Sequence, residues 1–174
     1  MINNNFKKIL KCLFTYTNTN FNALNIIGLD GTKMHIIGGD YVYILQYLNT
    51  SLNTIINSDG ISSDVKGGVC IGFGAGSKQV SLEDYNLETI INNLSYQSSS
   101  VETTEEGYTV ITSAKNNTST DIIVSEVGIF CRGRGEDSGE AFASLPFMLT
   151  RNVLETPITI KPNETKTFTI TINF

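Results

Sequence analysis

The sequence predicts a mainly β protein: an antiparallel β-sandwich, immunoglobulin-like or jelly-roll-like, with a short amphipathic helix at its N-terminus. Three observations carry that expectation. The polar residues are mostly uncharged, with 20 Thr, 18 Asn, 15 Ser and 15 Gly in a chain of 174 that is only 17% charged. Thr favours strands, while Asn, Ser and Gly favour turns. From residue 69 onward, short apolar runs are separated by turn signals at roughly 8 to 12 residues, the rhythm of a two-sheet fold. Finally, the last segment alternates strictly: Phe168, Ile170, Ile172 and Phe174 are apolar, and every residue between them is Thr or Asn. Such a period of two marks a core strand with one buried face.

In chain order, "NNNFKKILKCLF" opens with Asn residues able to cap a helix. Phe6, Ile9, Leu10, Leu13 and Phe14 then form one apolar stripe at helical spacing, opposite Lys7, Lys8 and Lys11. Three turns are marginal alone, so this stripe is expected to dock on a partner surface, in its own domain or a neighbouring subunit. "NIIGLDGTKMHII" places Asp30-Gly31 between two apolar-bearing runs, a hairpin signal. In "YVYILQYLNTSLNTII", Tyr41, Leu45, Leu48, Leu52 and Ile55 fit a helix, whereas the Val, Ile and Tyr content fits a strand. Both readings stay open.

"NSDGISSDVKGG" reads as a loop. It divides the chain into a helix-plus-hairpin assembly region, 1–61, and a sandwich domain, 62–174. In the latter, "GVCIGF" is a buried strand, "LSYQSSSVETT" and "GYTVITSAK" pair around "TEEG", and "DIIVSEVGIF" is a long central strand. A Gly-rich charged loop, "RGRGEDSGE", precedes the short strands "FMLTR" and "PITI", and the turn "KPNE" introduces the last strand.

Composition also excludes functions. A net charge of −5 argues against direct nucleic-acid binding, which needs a basic stripe to displace counterions. No apolar run approaches the roughly 20 residues of a membrane span. Lys11 interrupts the N-terminal apolar stretch and no small-x-small site follows, so no signal peptide is expected. Cys12, Cys70 and Cys131 are odd in number and lack a CxxC, which suits free thiols in a reducing cytoplasm.

No motif predicts catalysis or a cofactor. "GFGAGS" has the wrong spacing for a dinucleotide fingerprint and lacks the ending of a phosphate loop. Its glycines are expected to turn the chain out of a strand through positive φ. Glu83, Asp84 and Glu88, and Glu102, Glu105 and Glu106, are expected to be solvated turns. His35 has no second histidine for a metal site or a catalytic triad. "NSDGISSD" and "GEDSGE" carry oxygen ligands, but an EF-hand register would place Ile55 at the first ligand position. Arg132 and Arg134 are expected to pair with the acidic residues that follow them.

Three stretches resemble a family of small virion-associated proteins of tailed bacteriophages, generally described as tail, tail-fibre or structural proteins. They are "SSDVKGGVCIGFGAGSKQVSLEDYNLET", with its Ser-x-x-Asp-Tyr-x-Leu-Glu run; "IIVSEVGIF", with a central Glu-Val-Gly; and "LTRNVLETPITIKPNETKTFTITINF", with Arg-x-Val-Leu and Pro-x-Glu-Thr. The resemblance covers Ser62 to Phe174 and is weak over Thr15 to Gly60; "SKQVS" stands where a Pro-Thr type is expected. It implies a β-sandwich made in a host bacterial cytoplasm and incorporated into a virion. Its partners would be copies of itself and other phage proteins, with no catalytic residues. The alternative is a host-surface recognition module using "TEEG" and "RGRGEDSGE" as presenting loops. An enzyme would need a cleft with paired carboxylates.

Overall fold

The structure is a computed structural model that describes residues 24–36, 52–55, 69–104, 107–137 and 140–173. Nine strands follow one another: β1 (Leu24–Ile27), β2 (Lys33–Ile36), β3 (Leu52–Ile55), β4 (Val69–Gly74), β5 (Leu94–Thr104), β6 (Gly107–Asn116), β7 (Ile122–Asp137), β8 (Glu140–Ile160) and β9 (Thr165–Asn173). The described residues are therefore mainly β. The helix expected over Phe6–Phe14 lies outside them, as do most of the ambiguous 41–56 segment and Phe174.

β1 and β2 form the hairpin signalled by Asp30-Gly31. Gly31 N–H donates to the Gly28 carbonyl at 3.0 Å, and the Asp30 carboxylate accepts from the Thr32 amide and hydroxyl at 2.9 and 2.7 Å. Gly31 takes φ 84°, the left-handed conformation that the turn requires.

The strands fall into two sheets. The smaller has the order β5-β6-β9 and is wholly antiparallel. The larger has six strands and is organised around β7. β8 runs antiparallel along one edge of β7, from Ile122↔Ile160 to Asp137↔Glu140. The other edge is shared end to end: β4 pairs with residues 126–131, and β2 pairs with residues 135–136. β1 adds to β2, and β3 adds to β4 as the parallel pair of an otherwise antiparallel sheet. Residues on both sides of position 61 thus share this sheet.

Two expectations change here. "RGRGEDSGE" is not a loop over its first six residues: 132–137 continue β7, with Gly133 opposite Leu145 and Gly135 opposite Ala143. "FMLTR" and "PITI" are one strand, β8, whose register shifts against β7 near 125, between 129 and 130, and near 136 absorb the irregular sequence. Pairing with a long partner overrides the turn composition of a Gly-rich run.

Burial explains the patterns. In β9, Phe168, Ile170 and Ile172 are buried and Thr167, Thr169 and Thr171 are exposed, each apolar side chain contributing about 1.5–3 kcal/mol. β6 shows the same period, with Val110, Thr112, Ala114 and Asn116 buried. β7 does not alternate: 124–130 are buried throughout, because both faces of the strand are covered. One face carries Val127, opposite Phe73 of β4, and the Phe73 ring meets Phe168 of the smaller sheet at 4.7 Å between centroids, tilted 50°. Against the other face lies Leu87, in a cluster with Phe130 and Met148 to which Leu29 and Ile90 add. Leu87 belongs to the irregular segment 75–93, the connection from β4 to β5.

Candidate functional site

The segment 75–93 is fastened by charge. Arg151, on β8, and Glu126, on β7, are 2% and 0% exposed. Isolated charges would be expelled from such a position, so each must be paired and hydrogen-bonded. Arg151 Nε donates to Glu126 Oε2 at 2.7 Å and Nη1 donates to Asp84 Oδ2 at 2.9 Å; Nη2 lies 3.8 Å from Glu88 Oε2. One guanidinium thus stands among three carboxylates.

Each carboxylate also accepts from backbone amides of the segment. Glu126 Oε1 accepts from Gly76 N–H and Thr89 N–H, both at 3.0 Å, and Oε2 accepts from Glu88 N–H at 3.3 Å. Glu88 Oε2 accepts from Ser77 and Lys78 N–H at 2.8 and 2.9 Å. Asp84 Oδ2 accepts from Ser81 N–H at 2.9 Å, and Ser81 Oγ returns the contact by accepting from Glu83 N–H at 3.2 Å. Ser125 Oγ donates to the Gly76 carbonyl at 2.7 Å. The Ser81-x-x-Asp84 spacing is therefore a local turn lock that presents the Asp84 carboxylate to Arg151.

These contacts set the titration of the exposed member. Amides of Lys78 and Ser77, aided by the Arg151 charge, hold the Glu88 carboxyl below the usual glutamate range. For Arg151, burial opposes the charge, but hydrogen bonds to Asp84 and Glu126 outweigh it and hold the guanidinium above its ordinary value. Glu126 has its oxygens occupied by four donors and no solvent access, so this carboxylate is not available as a general base.

The expectation of a solvated acidic turn is corrected for Asp84, whose side chain is 11% exposed because Arg151 reaches the segment from β8; Glu83, Glu88 and Glu102 are exposed. The reading of the "GFGAGS" glycines is corrected too. Gly74 and Gly76 do not take positive φ. A Cβ at Gly76 would sit 2.5 Å from Glu126 Oε1 and 2.5 Å from Glu88 Cβ, and one at Gly74 would collide with the Glu126 carboxylate. Close approach is the requirement.

Of the residues singled out from sequence, Phe168, Ile170 and Ile172 line the inner row of β9, 3%, 4% and 6% exposed. Phe6, Ile9, Leu10, Leu13, Phe14 and Phe174 lie outside the described residues. His35 pairs across β1 with Asn25 and across β7 with Glu136. Cys70 stands opposite Phe130 and Cys131 opposite Val69 in the β4–β7 register. Arg132 and Arg134 lie in β7, opposite Pro146 and Ser144. Among the described residues no group of three or more His, Cys, Asp or Glu is placed to hold a metal ion, and no helix is long and apolar enough to cross a membrane.

Glu126 and Arg151 were the members that motif reasoning passed over. The signal was present: one acidic residue inside "IIVSEVGIF" and one basic residue inside "FMLTRNVL", each interrupting an apolar strand. Two opposite charges so placed predict each other. Comparison with known protein families, with curated proteins and with solved structures finds no match to this chain.

Proposed function

We propose that the chain is a non-enzymatic structural component of a tailed-bacteriophage particle, placed at the tail, the head-tail junction or the capsid surface. In this reading its two sheets form a β-sandwich, and it acts by packing against copies of itself and other virion proteins. It has no direct role in nucleic-acid binding.

One observation supports this above the others. The three stretches in which the sequence resembles such proteins supply, respectively, Asp84 and Glu88, Glu126, and Arg151, and these residues meet in one interlocked centre. Separate fragments of likeness are weak individually. Here each fragment holds the charge partner of the others, so the resemblance concerns a single structural unit. An interior secured by ion pairs and hydrogen bonds, beneath an uncharged Thr-rich face on β9, suits a part that must stay folded outside a cell.

The stripe Phe6, Ile9, Leu10, Leu13 and Phe14 is the docking element of this proposal. Mass spectrometry of density-purified particles from a culture carrying the gene should find the chain at a constant ratio to the major capsid protein. Its presence in the lysate but absence from particles would refute the proposal. In particles that contain it, Leu10→Asp with Leu13→Asp should prevent incorporation while the isolated variant keeps its β circular-dichroism spectrum.

A further inference from the structure

The segment 75–93 is attached in two unlike ways. At its ends the backbone is bonded to β4: Ala75 N–H to the Thr89 carbonyl at 2.9 Å, Ile91 N–H to the Phe73 carbonyl at 2.8 Å, and a single bridge between Gly74 and Ile90. Between those ends no ladder holds it. Asn86 Nδ2 donates to the Leu29 carbonyl at 3.1 Å, Ser125 Oγ donates to the Gly76 carbonyl, Leu87 enters the apolar cluster, and further anchorage passes through the carboxylates of Asp84, Glu88 and Glu126.

We propose that residues 75–93 form an acid-sensitive strap, which leaves the face of β7 as a unit when its carboxylates are protonated while the two sheets remain folded. The groups facing Arg151 are Asp84 and Glu88 from the strap and Glu126 from β7. Lys78 lies near Glu88 and adds to its charge environment. From the β1–β2 turn, Gly31 lies against the Tyr85 ring. Asp30 there is bonded to Thr32 and not to the strap. On β4, Gly72 and Gly74 stand opposite Gly128 and Glu126. Arg151 is bonded to Asp84 and Glu126, so each proton added to them leaves the buried guanidinium with less compensation. A buried charge without partners is met by admitting water, and the element able to move is the one without a ladder.

The sign follows from Glu88. A carboxylate held below its unfolded value stabilises the closed strap above that unfolded value, about pH 4.3, and this contribution is lost as pH falls through the lower folded value. Release is therefore expected between about pH 4.3 and the lower folded value.

Hydrogen exchange on the full chain, corrected for the intrinsic pH dependence of amide chemistry, tests this directly. Between pH 6 and pH 3 the amides of Gly76, Ser77, Lys78 and Thr89 should lose protection at least tenfold. Those of Asn116 and Thr118, held by uncharged groups, should change less than twofold. Equal loss in both places, or none at the strap, would overturn the proposal. Glu88→Gln keeps the size and an acceptor for Ser77 and Lys78 but not the charge. It should raise strap exchange already at pH 6 and flatten its pH dependence, whereas a pH profile identical to that of the parent chain would contradict the assignment.

Discussion

The chain passes between its two sheets at two differently built places. At one, the short connections 117–121 and 161–164 are joined by a neutral residue, Asn116, which is fully buried. Its Nδ2 donates to the carbonyls of Thr120 and Ile160, both at 2.8 Å, and its Oδ1 accepts from the Thr118 amide and hydroxyl at 2.8 and 2.7 Å. Its backbone bonds Asn163 and Glu164. At the other, the long connection 75–93 is held by Arg151 and its three carboxylates. A short crossing can be closed by one amide reaching both strands. A long one brings more backbone amides against the sheet than one amide can serve, and ionised carboxylates, each accepting several bonds, meet that demand. The cost is dependence on pH and on every partner being present.

The sharpest way to break the comparison is Arg151→Ala. It leaves Glu126 buried without its cation, and a loss of about 3–5 kcal/mol is expected in urea unfolding. Adding Glu126→Leu to Arg151→Met should not restore stability as it can for a simple ion pair, because Gly76, Glu88 and Thr89 N–H lose their acceptor. Full recovery would show that the amide contacts matter little.

Asn116→Ala should cost about 1–3 kcal/mol by stranding the buried carbonyl of Ile160 and releasing the 117–121 connection, with no change in its effect from pH 7 to pH 5. A loss confined to acid would erase the distinction between the corners. Gly74→Ala follows, at about 1–3 kcal/mol, since the added methyl displaces the Glu126 carboxylate. Its penalty should shrink in an Arg151→Ala background, where that carboxylate is no longer fixed.

The smallest effect is expected in the turn beside Asn116. Glu164 N–H donates to the Lys161 carbonyl at 3.0 Å, Pro162 is the first central residue, and Asn163 holds φ 61°, which is a type II turn. Asn163→Ala should cost about 1 kcal/mol through left-handed strain, and Asn163→Gly should be nearly neutral. Equal effects of the two would mean that the Asn163 side chain, not its backbone, matters. The same turn holds Glu164, whose carboxyl is kept below its usual range by Lys166 and the Lys161 amide. Being exposed, it adds only a slight acid sensitivity, lost as pH falls through that lowered value.

Much of the fold was legible because local chemistry and final structure agreed. Asp30-Gly31, Pro162-Asn163 and the alternation of Phe168, Ile170 and Ile172 each state their own geometry. What was not legible depended on distant partners. Gly133 and Gly135 read as loop because nothing local says that β8 lies beside them. Asp84 read as solvated because the cation it meets is more than sixty positions away. The role of Gly76 was hidden for the same reason, since only the arrival of Glu126 makes a side chain there impossible.

The shared edge of β7 has a consequence for the order in which the molecule is made. β2 and β4 precede β7 by many residues, yet each needs it as a neighbour, and the cation at Arg151 is synthesised after all three of its counterions. Until β8 has emerged, Glu126 has no buried cation to pair with and β7 lacks the neighbour along its longest ladder. Such non-local closure makes folding slow and late. The larger sheet closes along β7 only with residues from the last third of the chain, and β9, which completes the smaller sheet, comes later still.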